Sequence, residues 1–120
     1  MNKLIITKNQ RLQEIKESFK SKFPHLKIEF YSEQHEIGKA SASRNMYDDN
    51  SILGEISTLS NSGELNVDGH LKTSTFETNF FNQFGVAIQV FRKSGNIWLQ
   101  TTSTDDWTLA TQEEKGQEYE

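Results

Sequence analysis

The chain has 120 residues, of which 33% are hydrophobic, and carries a formal charge of −4. This length sets one domain around one core. The absence of cysteine excludes disulfides and thiolate zinc sites, no apolar run reaches membrane-spanning length, and a pI near 5.4 argues against nucleic acid as a partner.

The charge is uneven. Residues 1–31 hold seven Lys or Arg against three Glu, whereas residues 32–109 hold five basic and ten acidic residues. The N-terminal run MNKLIITKNQRL is interrupted at Thr7 and Lys8 and has no signal-peptide core. The expectation is a cytoplasmic protein with no membrane segment. Leu4 and Ile6 begin a short strand, and Thr7 with Gln10 offers a capping box. Leu12, Ile15, Phe19 and Phe23 recur at helical spacing and predict an amphipathic helix that Pro24 stops. Leu26, Ile28 and Phe30 then alternate with Lys27, Glu29 and Tyr31, the period of a strand.

The pattern stops at Ser32. Residues 32–50 read as a long polar loop, a length that is uncommon inside a small domain. Ile52, Leu53, Ile56 and Leu59 predict a short helix, capped by Asn50 or Ser51. Leu65 and Val67 form a strand ending at Asp68 and Gly69. Ser74 and Glu77 fit a second capping box, Phe76, Phe80 and Phe84 share one helical face, and Gly85 stands where a C-cap glycine belongs. The eight Phe of the chain recur at such spacings and argue for an ordered core despite a mean hydropathy of −0.73.

Residues 84–109, FGVAIQVFRKSGNIWLQTTSTDDWTL, carry the longest apolar patterning. They predict a β-hairpin turning at Ser94 and Gly95, with Phe91 opposite Trp98 and Val90 opposite Leu99. One face then holds Val86, Ile88, Val90, Ile97 and Leu99. The other holds Ala87, Gln89, Phe91, Trp98 and Gln100. Asp105 or Asp106 begins a turn, and residues 110–120 predict an acidic disordered tail after a single domain spanning 1–109.

The residues FG at 84–85, QVFRKSGNIWL at 89–99 and TDDWTL at 104–109 resemble the C-terminal signature of a family of small bacterial proteins. The resemblance implies a shared fold and brings no activity or functional residue with it.

Leu4, Ile6, Ile15, Phe19 and Phe23 align with Leu65, Val67, Phe76, Phe80 and Phe84 at an offset of 61. After one dropped residue, Leu26, Ile28 and Phe30 align with Val86, Ile88 and Val90. Either a duplication or the spacing common to all strand–helix–strand units accounts for this. The expected class is α+β: two βαβ-like halves in one mixed or antiparallel sheet covered by helices, ferredoxin-like in the commonest case, ending in the hairpin.

No motif assigns a catalytic residue, a metal ligand or a cofactor. His25, His35 and His70 lack zinc-helix spacing and read as exposed turn histidines. The pairs Asp48–Asp49 and Asp105–Asp106 read as helix or turn starts. GKASASR at 38–44 lacks the second glycine of a phosphate loop. The leading expectation is a non-catalytic interaction or self-association domain. Its open sheet face would carry Ile5, Tyr31, Phe91 and Trp98, and its partner would be a second copy or another protein. One alternative is RNA or single-stranded nucleic acid bound by sheet aromatics beside Arg92 and Lys93. Another is a small enzyme using His35, Glu36, Asp48 and Asp49 of the 32–50 loop.

Overall fold

A computed structural model describes residues 2–33, 45–59 and 61–118. Strand β1 (Lys3–Ile6), helix α1 (Leu12–Lys22) and strand β2 (Leu26–Tyr31) form the first unit. A single-turn helix α2 (Leu53–Ile56) follows. Strand β3 (Gly63–Asn66), helix α3 (Thr73–Phe84), and strands β4 (Ala87–Ser94) and β5 (Ile97–Gln100) come next. A 3₁₀ turn at Thr102–Thr104 leads into helix α4 (Leu109–Glu118).

The class is α+β, with helices packed on antiparallel sheet. The strands divide between two sheets, in the orders β1–β3 and β2–β4–β5, every pairing antiparallel. This corrects the expectation of one ferredoxin-like sheet. Each strand of the first half takes its counterpart from the second half as a neighbour, so β1 and β2 never meet in a common sheet, and neither do β3 and β4.

The pairing follows the internal equivalence of the sequence. Leu4 lies opposite its equivalent Leu65, and the flanking pairs Lys3–Asn66 and Ile5–Glu64 exchange under the offset. In the second sheet Glu29 lies opposite its equivalent Gln89, and Ile28–Val90 exchanges with Phe30–Ile88. An approximate two-fold axis therefore passes through both sheets. The equivalence extends past the strands. Tyr47 N–H donates to Phe30 O at 2.8 Å, as Thr101 N–H donates to Val90 O at 3.2 Å.

The two-fold also explains how the long helices begin. Neither α1 nor α3 has a side-chain cap from Thr7 or Ser74; their N-caps are Arg11 and Lys72. Their first N–H groups are satisfied by a downstream strap of backbone. Leu12 and Gln13 donate to Ser51 O and Asp49 O at 2.9 and 3.0 Å, while Thr73 and Ser74 donate to Trp107 O and Asp105 O at 2.8 and 2.7 Å. The straps bridge Arg11 to Ile52 and Lys72 to Thr108 and run directly into α2 and α4. Their shared sequence is Asp-x-x-x-Leu, at Asp49–Leu53 and Asp105–Leu109.

Residues 110–118 of the segment expected as a disordered tail belong instead to α4. Its buried residues Leu109, Gln112, Glu113 and Gly116 follow helical spacing, but only one of them is a large apolar residue. Polar contacts fix the rest. Arg92 Nη1 donates to Gln112 Oε1 at 2.7 Å, and Gln112 Nε2 donates to Thr104 O at 2.8 Å. His25 is not an exposed turn histidine either: its Nδ1 lies 2.6 Å from Glu113 Oε2.

One apolar core joins both sheets and both long helices, including Leu4, Ile6, Phe19, Ile28, Leu65, Phe76, Phe80 and Val90. Phe19 stacks on Phe76 across the halves with ring centroids 5.2 Å apart, and Phe30 meets Phe80 edge-on at 5.6 Å, aromatic geometries that add to plain area burial. Among the described residues no helix is long and apolar enough to cross a membrane.

Candidate functional site

The hairpin turns at Gly95 and Asn96, one position later than the expected turn, with Gly95 at φ +60°. Only glycine adopts that backbone at no steric cost. Trp98 consequently faces Lys93, and Phe91 faces Gln100. The shift moves pairing by two positions in all, so side-chain parity is retained and Phe91 and Trp98 still share a face. Ile97 and Leu99 lie on the opposite face with Val90, but they extend beyond the core and stay 58% and 38% exposed.

The four residues expected on one open face separate. Ile5 stands 73% exposed on the outer side of the two-stranded sheet. Tyr31 and Phe91 lie together on the second sheet, but both are buried with Ala87 in a second apolar cluster, against Phe81 and Trp98. This corrects the exposed aromatic platform to one half-buried ring, that of Trp98. Burial, reinforced by the charges of Glu29 and Glu77, pushes the Tyr31 hydroxyl up to about 12. That hydroxyl has no hydrogen-bond partner among the described residues.

Trp98 lines a cleft of about 400 Å³ that also takes in Lys16, Glu17, Lys20, Lys27, Glu29 and Asp49. Three ammonium groups converge on its ring: Lys20, Lys27 and Lys93 Nζ lie 5.1, 5.2 and 5.6 Å from the indole centroid. Lys27 also lies 5.2 Å from the Phe91 ring. The helical face of α1 supplies Lys16 and Lys20, the outward positions of β2 supply Lys27 and Glu29, and the hairpin supplies Lys93 and Trp98.

The cations divide into two kinds. Lys16 Nζ bridges Glu29 Oε1 at 2.7 Å and Asp49 Oδ1 at 2.6 Å. Burial works against its charge, but the Asp49 and Glu29 contacts outweigh it and raise the Lys16 pKa. Lys27 reaches the other Glu29 oxygen at 3.3 Å. Lys20 and Lys93 have no carboxylate within ion-pair distance among the described residues; the indole is what they meet.

Arg92, expected beside the aromatics of a nucleic-acid platform, points the other way. It lies 5.3 Å from the Trp107 ring and bonds Gln112, fastening α4. Of the acid–base candidates, His35 and Glu36 lie outside the described residues, as does the 38–44 stretch. Asp48 Oδ1 accepts the Asn50 N–H at 2.7 Å within a turn, and Asp49 is engaged by Lys16. His70 pairs with Asp68 at 3.0 Å on the surface, where its backbone and ring contacts lower the Asp68 pKa. Among the described residues no group of three or more His, Asp or Glu could hold a metal ion.

The lysine set escaped sequence reading because its members come from three elements. Lys16 and Lys20 at i, i+4 on the polar side of the amphipathic helix were a legible half of the signal. Neither a family model, nor a curated protein, nor a solved structure matches the chain.

Proposed function

We propose that the protein is a non-catalytic interaction domain that engages another protein, or a second copy of itself, through the β4–β5 hairpin. The observation that carries this reading is the character of β5. It lies at the edge of its sheet among the described residues, with exposed Ile97 and Leu99 on one face and the Trp98 cleft on the other. Exposed edge strands are templates for pairing unless charge or cover blocks them. Large apolar side chains and a half-exposed indole are the groups that concentrate binding energy at protein contacts.

Random-peptide display against the folded protein tests it, with Ile97→Asp and Leu99→Asp as controls. Both positions are exposed, so both variants keep the fold by circular dichroism. Peptides enriched on the wild type and lost on the two variants support the reading. No enrichment, or the same enrichment on all three, overturns it for foreign partners. Light scattering over a concentration series covers the remaining case: a dimer that Ile97→Asp dissolves assigns the surface to a second copy.

A further inference from the structure

We infer that the hairpin takes an acidic partner strand, one in which carboxylate and apolar side chains alternate, added antiparallel or parallel to β5. This rests on the interaction reading above and specifies the partner's chemistry. Three observations lead to it.

The first is the lysine cluster. Lys20, Lys27 and Lys93 share one indole, each between 5.1 and 5.6 Å from its centroid, so their charges lie within about 11 Å of one another, close to a Debye length at physiological salt. Like charges at that spacing repel. The indole face offsets part of this and Glu29 pairs with Lys27, but Lys20 and Lys93 have no carboxylate within ion-pair distance among the described residues. An incoming anion completes the site. The second observation is that the lysines gathered here, Lys16, Lys20, Lys27 and Lys93, outnumber the carboxylates Glu17, Glu29 and Asp49 by one, a small cationic island on a chain of net charge −4. A short acidic segment gains from the island alone, whereas a long polyanion meets repulsion beyond it. Two copies meeting face to face would also bring two lysine clusters together, which disfavours a symmetric dimer here.

The third is the periodicity of the edge. Successive β5 side chains alternate between the exposed apolar face of Ile97 and Leu99 and the cationic face of Trp98. A strand paired beside β5 alternates likewise. Its carboxylates then fall on the Lys20–Lys27–Lys93 side and its apolar side chains on the Ile97–Leu99 side. Composition alone does not satisfy this; the order of residues does.

Nuclear magnetic resonance titration of the full chain decides it, using four probes: an alternating Glu/Val decapeptide, a block peptide of identical composition, an alternating Gln/Val decapeptide, and a single-stranded oligonucleotide. The expected result is binding of the alternating acidic peptide, with backbone amide shifts centred on Ile97–Leu99 and at least tenfold weaker binding by the surface variants Lys20→Glu and Lys93→Glu. Equal binding of the block or the Gln peptide overturns the acidic strand while leaving the interaction reading intact. Preferential binding of the oligonucleotide overturns it in favour of nucleic acid. Failure of the alternating acidic peptide to bind overturns it whatever the display experiment finds.

Discussion

Tyr31 shows how a single side chain can be buried against its own chemistry. It is 1% exposed, and its hydroxyl has no hydrogen-bond partner among the described residues. A buried hydroxyl without a partner costs stability, and removing it costs little packing. Tyr31→Phe is therefore expected to leave stability at pH 7 unchanged or raise it by about 1 kcal/mol, measured by urea unfolding. The sign at high pH follows from the shift. An unfolded tyrosine loses its proton near pH 10, whereas folded Tyr31 holds it to about 12. Between those values the unfolded state binds fewer protons, so stability falls as pH rises. Lys16, whose pKa is also raised, contributes stability that is present below its ordinary value of 10.5 and lost above it. Urea curves at pH 7 and pH 10.5 should show a smaller alkaline loss in Tyr31→Phe than in the wild type. An equal loss in both would place the titrating group elsewhere.

At the scale of elements, two glycines hold the helices in place for different reasons. Gly85 ends α3 in the left-handed region at φ +73°, and a Cβ there would lie 2.6 Å from Thr58 Oγ1. Gly85→Ala combines backbone strain with this collision and should cost about 2 kcal/mol. Gly116 has no such backbone. It lies in the interior of α4, where glycine is unfavourable by itself, and a Cβ would lie 2.6 Å from His25 Cβ. Its use is close approach, which lets Glu113 reach the His25 N–H at 2.8 Å and the ring at 2.6 Å. Gly116→Leu is expected to push α4 off the sheet, lowering the thermal midpoint by several degrees, since about 1 kcal/mol moves a domain of this size by about 4 °C. Fast hydrogen exchange at residues 109–118 in that variant would locate the loss; unchanged protection would refute the close-approach argument.

For the molecule as a whole, the two-fold arrangement makes the halves interdependent. Every strand of the first half pairs with a strand of the second, and Phe19 stacks on Phe76 between them. Neither half can complete a sheet alone, so the full chain should unfold in one cooperative urea transition. Fragments covering residues 1–60 and 61–120 should each lack stable structure at low concentration and regain sheet signal in circular dichroism when mixed. A separately folded half would show that the cross-half pairings are dispensable.

Much of this was legible in the residues. Helical spacing of Ile15, Phe19, Phe76, Phe80 and Phe84, strand alternation through Leu26–Tyr31 and Ala87–Phe91, and the C-cap at Gly85 are local signals, carried by residues within a turn or two of each other. The equivalence of the halves was visible as well, since Leu4 aligns with Leu65 and those residues face each other. The straps were hidden because their contacts to helix N-termini are backbone hydrogen bonds, which leave no side-chain pattern beyond a sparse Asp-x-x-x-Leu. Helix α4 was hidden because its buried stripe is mostly polar, and Gln112 and Glu113 become buried only once Arg92, Thr104 and His25 are in reach. The lysine cluster had no sequence signature, because Lys20, Lys27 and Lys93 belong to separate elements. Sequence alone determined the strands, the two long helices and their inward faces, because periodicity acts over a few residues. Tertiary structure alone decided the two sheets, the burial of Tyr31 and Phe91, and the convergence of charge on Trp98, because each depends on pairings between residues far apart in the chain.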